Sequence, residues 1–558
     1  MDTYDCMFIH VPNLSNFYLP TGNFANTNLI PMGVLALANL AKRSGYRTQV
    51  LHMGVERLRD NNFSINEYLR NCKVKVLGIS LFWYHQSYDA IELAREIKKH
   101  NPDIFVYMGG LTASYFSEEI LREFPFVDAV NKGYGEQSLI GLLKKALNNK
   151  EIKLDELNGW VFRDNSQIKS TQFCQLDKKL FNDLIYADLS VVKNYELYVN
   201  YFGLHEMPVI VKDVRKLKID KLTKMFPLSV GRGCGVVCSY CGGNRNTWEK
   251  CAGKDYLVWR DIEKVIADIE RAIGYGYNKI FICFDPTPRN QSYYVELFRR
   301  MRERNINVSL YFECWGLPTI EFIKEFSMTF KNDRLSHILI SMDTISEELR
   351  NKNRGHNYSN QELFGCLQNL DEYKIHFDVC LSLGLPGSSF IEAIETKALM
   401  KRICRDYKYA GRVMAFLIDL VPGSPMFEDP EKYNIVTQMK SFMDYYNVFG
   451  KPGHPTYAFC KYKILDYFGD ERDTGTIEDF AKRIQHLKCM HFCFAGGKTA
   501  YGMDAEQGRK ICLEDRKKVY NELGIDSQPR IFDDNYGYSD ELEILENSNR
   551  GCERAKYL

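Results

Sequence analysis

Three closely spaced cysteines constrain this chain most, because any fold it adopts must bring three thiols to one place and hold them there. They lie in Ser229-Val-Gly-Arg-Gly-Cys234-Gly-Val-Val-Cys238-Ser-Tyr-Cys241-Gly-Gly243. Thiolates are soft ligands suited to iron–sulfur clusters or zinc. A structural zinc site or an ordinary four-iron cluster takes four protein ligands. Here the loop supplies three, and Cys251 follows only ten residues later. A four-iron cube held by three thiolates keeps one iron open for a substrate or cofactor. Gly231, Gly233, Gly235, Gly242 and Gly243 let the backbone wrap such a group closely. A zinc knuckle, or chance clustering among the seventeen cysteines, is the competing reading.

The Cys-x3-Cys-x2-Cys spacing, with Tyr240 just before the last cysteine, resembles the radical S-adenosylmethionine (SAM) superfamily. The resemblance implies a [4Fe–4S] cluster on Cys234, Cys238 and Cys241. Its open iron is expected to chelate the amine and carboxylate of SAM. An electron from the reduced cluster then cleaves SAM to methionine and a 5′-deoxyadenosyl radical.

With 558 residues, the chain has room for two or three domains, each with its own core. Its 73 basic and 72 acidic residues give no bulk attraction to nucleic acid or to an anionic membrane. No apolar run reaches membrane-spanning length, and the first residues lack the basic region of a signal peptide. An odd number of scattered cysteines reads as reduced thiols, so a cytoplasmic location is expected.

Residues 1–150 alternate strand-like and helix-like patterns, which predicts a doubly wound parallel sheet of α/β class. Asp5–Ile9, Arg47–Leu51, Val74–Ile79, Ile104–Met108 and Val127–Val130 are the strand candidates, while Pro31–Ala41 and Asp89–Lys99 read as helices. Ligands of such sheets lie beyond the carboxyl ends of the strands. Ile30-Pro-Met-Gly33, Gly78-Ile-Ser80, Met108-Gly-Gly110 and Gly133-Tyr-Gly-Glu136 resemble the cobalamin-binding domain that precedes the radical SAM domain in one large family. By that resemblance Ser80, Gly109, Gly110, Gly133, Gly135 and Glu136 contact cobalamin. The Asp-x-His-x-x-Gly motif of other cobalamin enzymes is absent after the first strand, which reads His10-Val-Pro-Asn-Leu-Ser. The lower cobalt ligand therefore stays open, and His52 and His85 read as structural histidines.

Residues 151–220 read as a transition, with a short hairpin element at Leu154–Phe162. From 221 to 430, six strand–helix units predict the partial (β/α)6 barrel of radical SAM enzymes, with active residues at strand carboxyl ends. By resemblance, Tyr240, Gly242, Gly243, Asp285, Glu313, Ser341, Asp343, Gly384 and Pro386 surround SAM. Pro422-Gly-Ser-Pro425 resembles a turn common in the family.

Residues 431–558 are expected to form a mainly helical, substrate-covering region in which aromatics such as Phe442, Tyr445, Phe449 and Tyr457 line the barrel mouth. Cys460, Cys489, Cys493 and Cys512 are buried thiols or, alternatively, an auxiliary metal site. A loosely docked tail is expected from about Asp533.

The expected activity is cobalamin-dependent transfer of a methyl group to an unactivated carbon. The alternatives are a cobalamin-containing cyclase or rearrangement enzyme, or a radical SAM enzyme without functional cobalamin. Methylthiolation of transfer RNA fits poorly, and a cobalamin carrier leaves the cysteine loop unexplained. The expected partners are a small-molecule or peptide substrate and an electron donor such as flavodoxin or ferredoxin, with neither membrane nor nucleic acid.

Overall fold

Near-continuous apolar runs become strands here because helices cover both faces of the sheet they form. The computed structural model describes residues 2–12, 28–148, 152–202, 223–253, 257–287, 290–330, 335–388 and most of 396–450, with a few short strands at 204–205, 460–462, 464–465 and 471–472. Strands β1 (Asp2–His10), β2 (Thr48–His52), β3 (Cys72–Ser80), β4 (Phe105–Gly109) and β5 (Ala129–Asn131) pair in parallel in the order β2-β1-β3-β4-β5. That order reverses direction between β1 and β3, where doubly wound sheets open a ligand crevice.

Two antiparallel strands, β6 (Trp160–Asp164) and β7 (Gln167–Ser170), extend the same sheet. The hairpin thus lies later than the Leu154–Phe162 expected from sequence. Gly159, with φ of 80°, breaks the extended run before Trp160, and Asn165 makes the turn at φ of 54°.

The second sheet begins with β8 (Leu204–His205), antiparallel to β9 (Lys224–Pro227). A two-stranded ribbon of β10 (Gly231–Arg232) and β11 (Val258–Trp259) follows. Strands β12 (Lys279–Ile282), β13 (Ser309–Cys314), β14 (His337–Asp343), β15 (His376–Leu383) and β16 (Ala410–Leu417) then add in parallel, in chain order. With β9 this gives the six parallel strands expected for a partial barrel. Amphipathic helices Ile262–Gly274, Ser292–Glu303 and Asn360–Glu372 cover it, burying Val265, Ile269, Phe298 and Leu367. Two further helices, Ile320–Thr329 and Glu347–Asn353, add to the outer layer.

The amino ends of the barrel strands are closed by a buried polar cluster. Lys279 Nζ lies 3.3 Å from His337 Nδ1, and Arg412 Nη2 donates to Asp378 at 2.6 Å. The bottom of such barrels serves stability, which leaves the opposite end for ligands.

The helix Phe442–Phe449 does not line the barrel mouth. Phe442 and Tyr445 are fully buried in the core of the first sheet's outer layer, and Tyr446 donates its hydroxyl to Glu92 at 2.7 Å. Its aromatics recur at helical spacing and complete an apolar core, which competes with the covering role expected from composition. Cys489, Cys493, Cys512, Tyr457 and the tail from Asp533 lie outside the described residues, as does the side chain of Cys460. Among the described residues, no helix is long and apolar enough to cross a membrane.

Candidate cofactor and substrate site

The cysteine loop leaves β10 and is stapled to the rest of the barrel on three sides. The segment ending the helix Glu347–Asn353 holds one side. Ser239 N–H donates to Asn353 O at 2.8 Å, its hydroxyl donates to Asn353 Oδ1 at 2.6 Å, and Gly355 N–H points at Cys238 Sγ at 3.5 Å. Gly355 must be glycine because a Cβ there would stand 2.5 Å from Val237 N. The turn after β16 holds a second side. Gly423 O accepts from Asn244 Nδ2 at 2.9 Å and Thr247 Oγ1 at 2.6 Å, and Met426 N–H donates to Ser239 O. Asn244 also caps the helix Arg245–Ala252, so one side chain fixes the exit from the loop.

Tyr240 anchors the third side. Its hydroxyl donates to Asp343 Oδ2 at 2.7 Å, while Ser382 donates to Oδ1 at 2.7 Å and Arg354 pairs with Oδ2 at 3.0 Å. Asp343 reaches this position through a left-handed φ of 60° at a bulge in β14. Strain of this kind costs about 1–3 kcal/mol and persists only where surrounding contacts fix it. Arg354 adds bonds to the carbonyls of Ser341 and Trp315.

Burial pushes the thiol of Cys234 up to about 11 and that of Cys241 up to about 12, and Cys238 moves in the same direction. Each thiolate would also repel its neighbours, so ionising all three together calls for a cationic group between them. Among the described residues, no three His, Cys, Asp or Glu side chains converge as a single metal ion requires.

Facing the loop, the carboxyl ends of the first sheet open into a cavity of about 600 Å³. Ser80 and Gly109 are register neighbours on β3 and β4, and His10 Nδ1 holds the Ser80 hydroxyl at 2.9 Å across the switch point. Gly33 and Gly109 present open space: a Cβ on Gly33 meets nothing within 4 Å, and one on Gly109 meets only Asn131 Cβ at 4.0 Å. Gly110 differs. Its φ of 116° brings it against the Leu81 carbonyl, 2.7 Å from where a Cβ would sit. Gly133, at φ of 84°, lets the Cys251 carbonyl approach from the helix beside the cysteine loop.

The same cavity runs on past Arg232, Gly233 and Gly243 to Cys283, Glu313 and Trp315 on the barrel. Strand ends of both sheets thus share one cavity. Glu136, at the start of the helix Glu136–Asn148, pairs with Arg232 at 2.7 Å across that boundary. Arg232 also lies over the rings of Tyr134 and Phe181 at 5.2 and 4.9 Å.

The structure brings Ser80, Gly109, Gly110, Gly133, Gly135 and Glu136 together on the cavity wall, along with Gly243 and Glu313. It sets the other SAM candidates apart from that wall. Asp285 is buried and accepts from Trp315 and Gly316 N–H at 2.9 and 3.2 Å, ordering the exit of β13. Burial pushes its carboxyl up against these bonds. Tyr240, Ser341 and Asp343 belong to the network behind the loop, and Gly242 packs against Val421 and Pro422. Gly384 turns at φ of 79°, and Pro386 O accepts from Asn353 at 3.0 Å.

Sequence reading missed Arg232, Asn244, Asn353 and Arg354. Asn353 meets Ser239 across 114 residues, a pairing that no local spacing announces. Arg232, inside the cysteine loop's own glycine run, was the one accessible signal: a lone cation between glycines beside a metal motif.

Residues 23–143 match the B12 binding domain family, and residues 228–400 match the Radical SAM superfamily. Among curated proteins, the chain is 24% identical over 319 residues to an anaerobic magnesium-protoporphyrin IX monomethyl ester cyclase of Rubrivivax gelatinosus, covering 56% of this chain and 50% of that one. It is 23% identical to the hopanoid C-3 methylase of Methylococcus capsulatus, covering 57% of this chain and 54% of the methylase. The chain thus spans about half the length of these curated relatives. Among solved structures, the radical S-adenosylmethionine methyltransferase TsrM from Kitasatospora setae, with cobalamin and a [4Fe–4S] cluster bound, superposes with a TM-score of 0.59 at 16% identity. That likeness covers 79% of this chain and 81% of TsrM, and it concerns the fold.

Proposed function

We propose that this chain, whose residues 23–143 match the B12 binding domain and 228–400 the Radical SAM superfamily, methylates an unactivated carbon using cobalamin, SAM and a [4Fe–4S] cluster. The observation that carries this reading is the single cavity shared by the glycine-lined strand ends of the first sheet and the barrel end beside the cysteine loop. When bound, the three groups supply reductive cleavage of SAM, a carbon radical and a methyl donor.

The residues present fit those groups. Cys234, Cys238 and Cys241 would hold the cluster, with Gly355 N–H turned toward Cys238 Sγ. Hydrogen bonds to cluster sulfurs are one of the levers that set a cluster's reduction potential. Gly33 and Gly109 leave the cradle that a corrinoid requires, and Ser80, oriented by His10, offers it a hydroxyl. Tyr240, Asp343 and Arg354 position the loop from behind and need not touch SAM. Gly243 lies where the loop meets the cavity. Reactive groups held within one cavity gain effective concentration.

In this reading the chain divides near residues 150 and 220 into a corrinoid domain, a connecting segment and a barrel. It works in a reducing cytoplasm and receives electrons from a flavodoxin or ferredoxin. The likeness to a cyclase favours a second reading, in which the same cofactors drive ring formation without methyl transfer. Anaerobic reconstitution followed by turnover with methyl-labelled SAM tests the proposal. Label in the product supports methylation, unlabelled rearranged product selects the second reading, and a chain that never retains corrinoid defeats both.

A further inference from the structure

Parallel pairing of β12 with β13 matches Ile282 to Phe312, so Cys283 and Glu313 are the next pair at the carboxyl end of the barrel. Both line the cavity. The Cys283 thiol donates to Glu313 Oε2 at 2.6 Å, and Oε1 has no hydrogen-bond partner among the described residues. Among the described residues, three charged side chains border this space: Glu136, Arg232 and Glu313. The first two neutralise each other, while Glu313 faces no cation among the described residues. Phe281, Phe284 and Trp315 form the wall around it.

A carboxylate with one free oxygen, set among aromatic rings, is a site for a cationic N–H donor: the charge meets the oxygen and the rings accept the cation's face. We propose that Glu313 is the specificity anchor for the substrate, which carries an ammonium or amidinium group on an apolar or flat body. This rests on the proposed function, in which the amine of SAM is committed to the open iron and leaves Glu313 to the substrate. Burial pushes the Glu313 carboxyl above its ordinary range. A cationic ligand therefore displaces a proton, and its affinity rises with pH through that raised value.

The test uses the full chain carrying cluster and cobalamin. Titration calorimetry compares 2-phenylethylammonium with the neutral 2-phenylethanol, in wild type and in Glu313→Gln, with SAM titrated separately into each. The ammonium should bind about tenfold or more tightly than the alcohol, and the difference should vanish in Glu313→Gln. SAM affinity should hold, and cluster and corrinoid absorbance should show that the variant is folded. Three results overturn the inference: an ammonium that binds no better than the alcohol, no binding of either, or a Glu313→Gln variant that loses SAM while keeping its preference for the ammonium. A chain that takes up neither cobalt nor iron defeats the proposed function instead, and the ammonium preference of that chain still tests Glu313.

Discussion

Gly33 and Gly110 border the same cavity, yet substituting them should have opposite consequences, and the contrast tests where the corrinoid sits. Gly33 lies in the first turn of the helix Met32–Arg43, and a Cβ added there meets nothing within 4 Å. Replacing a helical glycine gains up to about 1 kcal/mol of stability, so Gly33→Phe should fold at least as well as wild type. Its ring, however, projects into space the corrinoid must fill. Overpacking costs about 1–3 kcal/mol, which weakens corrinoid binding by roughly 5- to 150-fold. Gly110→Ala needs no large side chain to do harm, because its Cβ would stand 2.7 Å from Leu81 O at a φ of 116°. That variant should lose about 1–3 kcal/mol of stability before any ligand is considered. Thermal melts of the apo chain, paired with cobalt content after loading with hydroxocobalamin, separate the two effects. A Gly33→Phe protein that melts normally and retains full cobalt would refute the placement of the corrinoid in this cavity.

Cys238→Ala should abolish deoxyadenosine formation from SAM while corrinoid loading persists; deoxyadenosine release by the variant would remove Cys238 from the ligand set. Arg232→Met leaves the Glu136 carboxylate nearly buried without its cation, and a loss of about 3–5 kcal/mol is expected. The double variant with Glu136→Gln should recover much of that loss in urea unfolding, and a double no better than the single would deny the coupling. Asp378 is raised by burial but more strongly lowered by Arg412 and His337, so its carboxyl titrates below the ordinary range. Its contribution is therefore complete above the unfolded-state value and is lost as pH falls through the lowered one. Arg412→Met should shift the acid-unfolding midpoint upward, and an unmoved midpoint would show that the pair contributes nothing.

The parallel strands of both sheets were legible because apolar runs and amphipathic helices alternate with short turns, the pattern of strand–helix units. The cavity-facing residues were legible too, since Ser80, Gly109 and Gly133 fall where strands end. The protein partners of individual side chains were less so. Asp285, read as a SAM contact, spends an oxygen on two backbone N–H groups of a neighbouring strand exit. Asp343 and Tyr240 meet each other, because a bulge in β14 rotates the carboxylate inward by way of a left-handed φ that sequence does not reveal. The aromatics of Phe442–Phe449 misled for a related reason. Composition marks them as apolar, but only the packing of that helix on Ser87–His100 decides which surface they cover.

The contacts that join the two halves bring the glycine-lined strand ends and the cysteine loop to one cavity, as the proposed reaction requires. Gly133 admits the Cys251 carbonyl and Glu136 holds Arg232, while the Gly423 turn braces the loop from within the barrel through Asn244 and Thr247. Each of these residues lies within the cysteine loop, in the helix that follows it, or in a strand-end turn that lines or buttresses the cavity. Apolar packing joins the halves as well: Phe427 lies against Tyr115 and Phe116, and Leu420 and Met426 share the core of the first sheet's outer layer. The geometry of the reaction space is thus set by the same short segments that would bind the cofactors, so a change at the domain boundary should disturb the cluster loop and the corrinoid slot together.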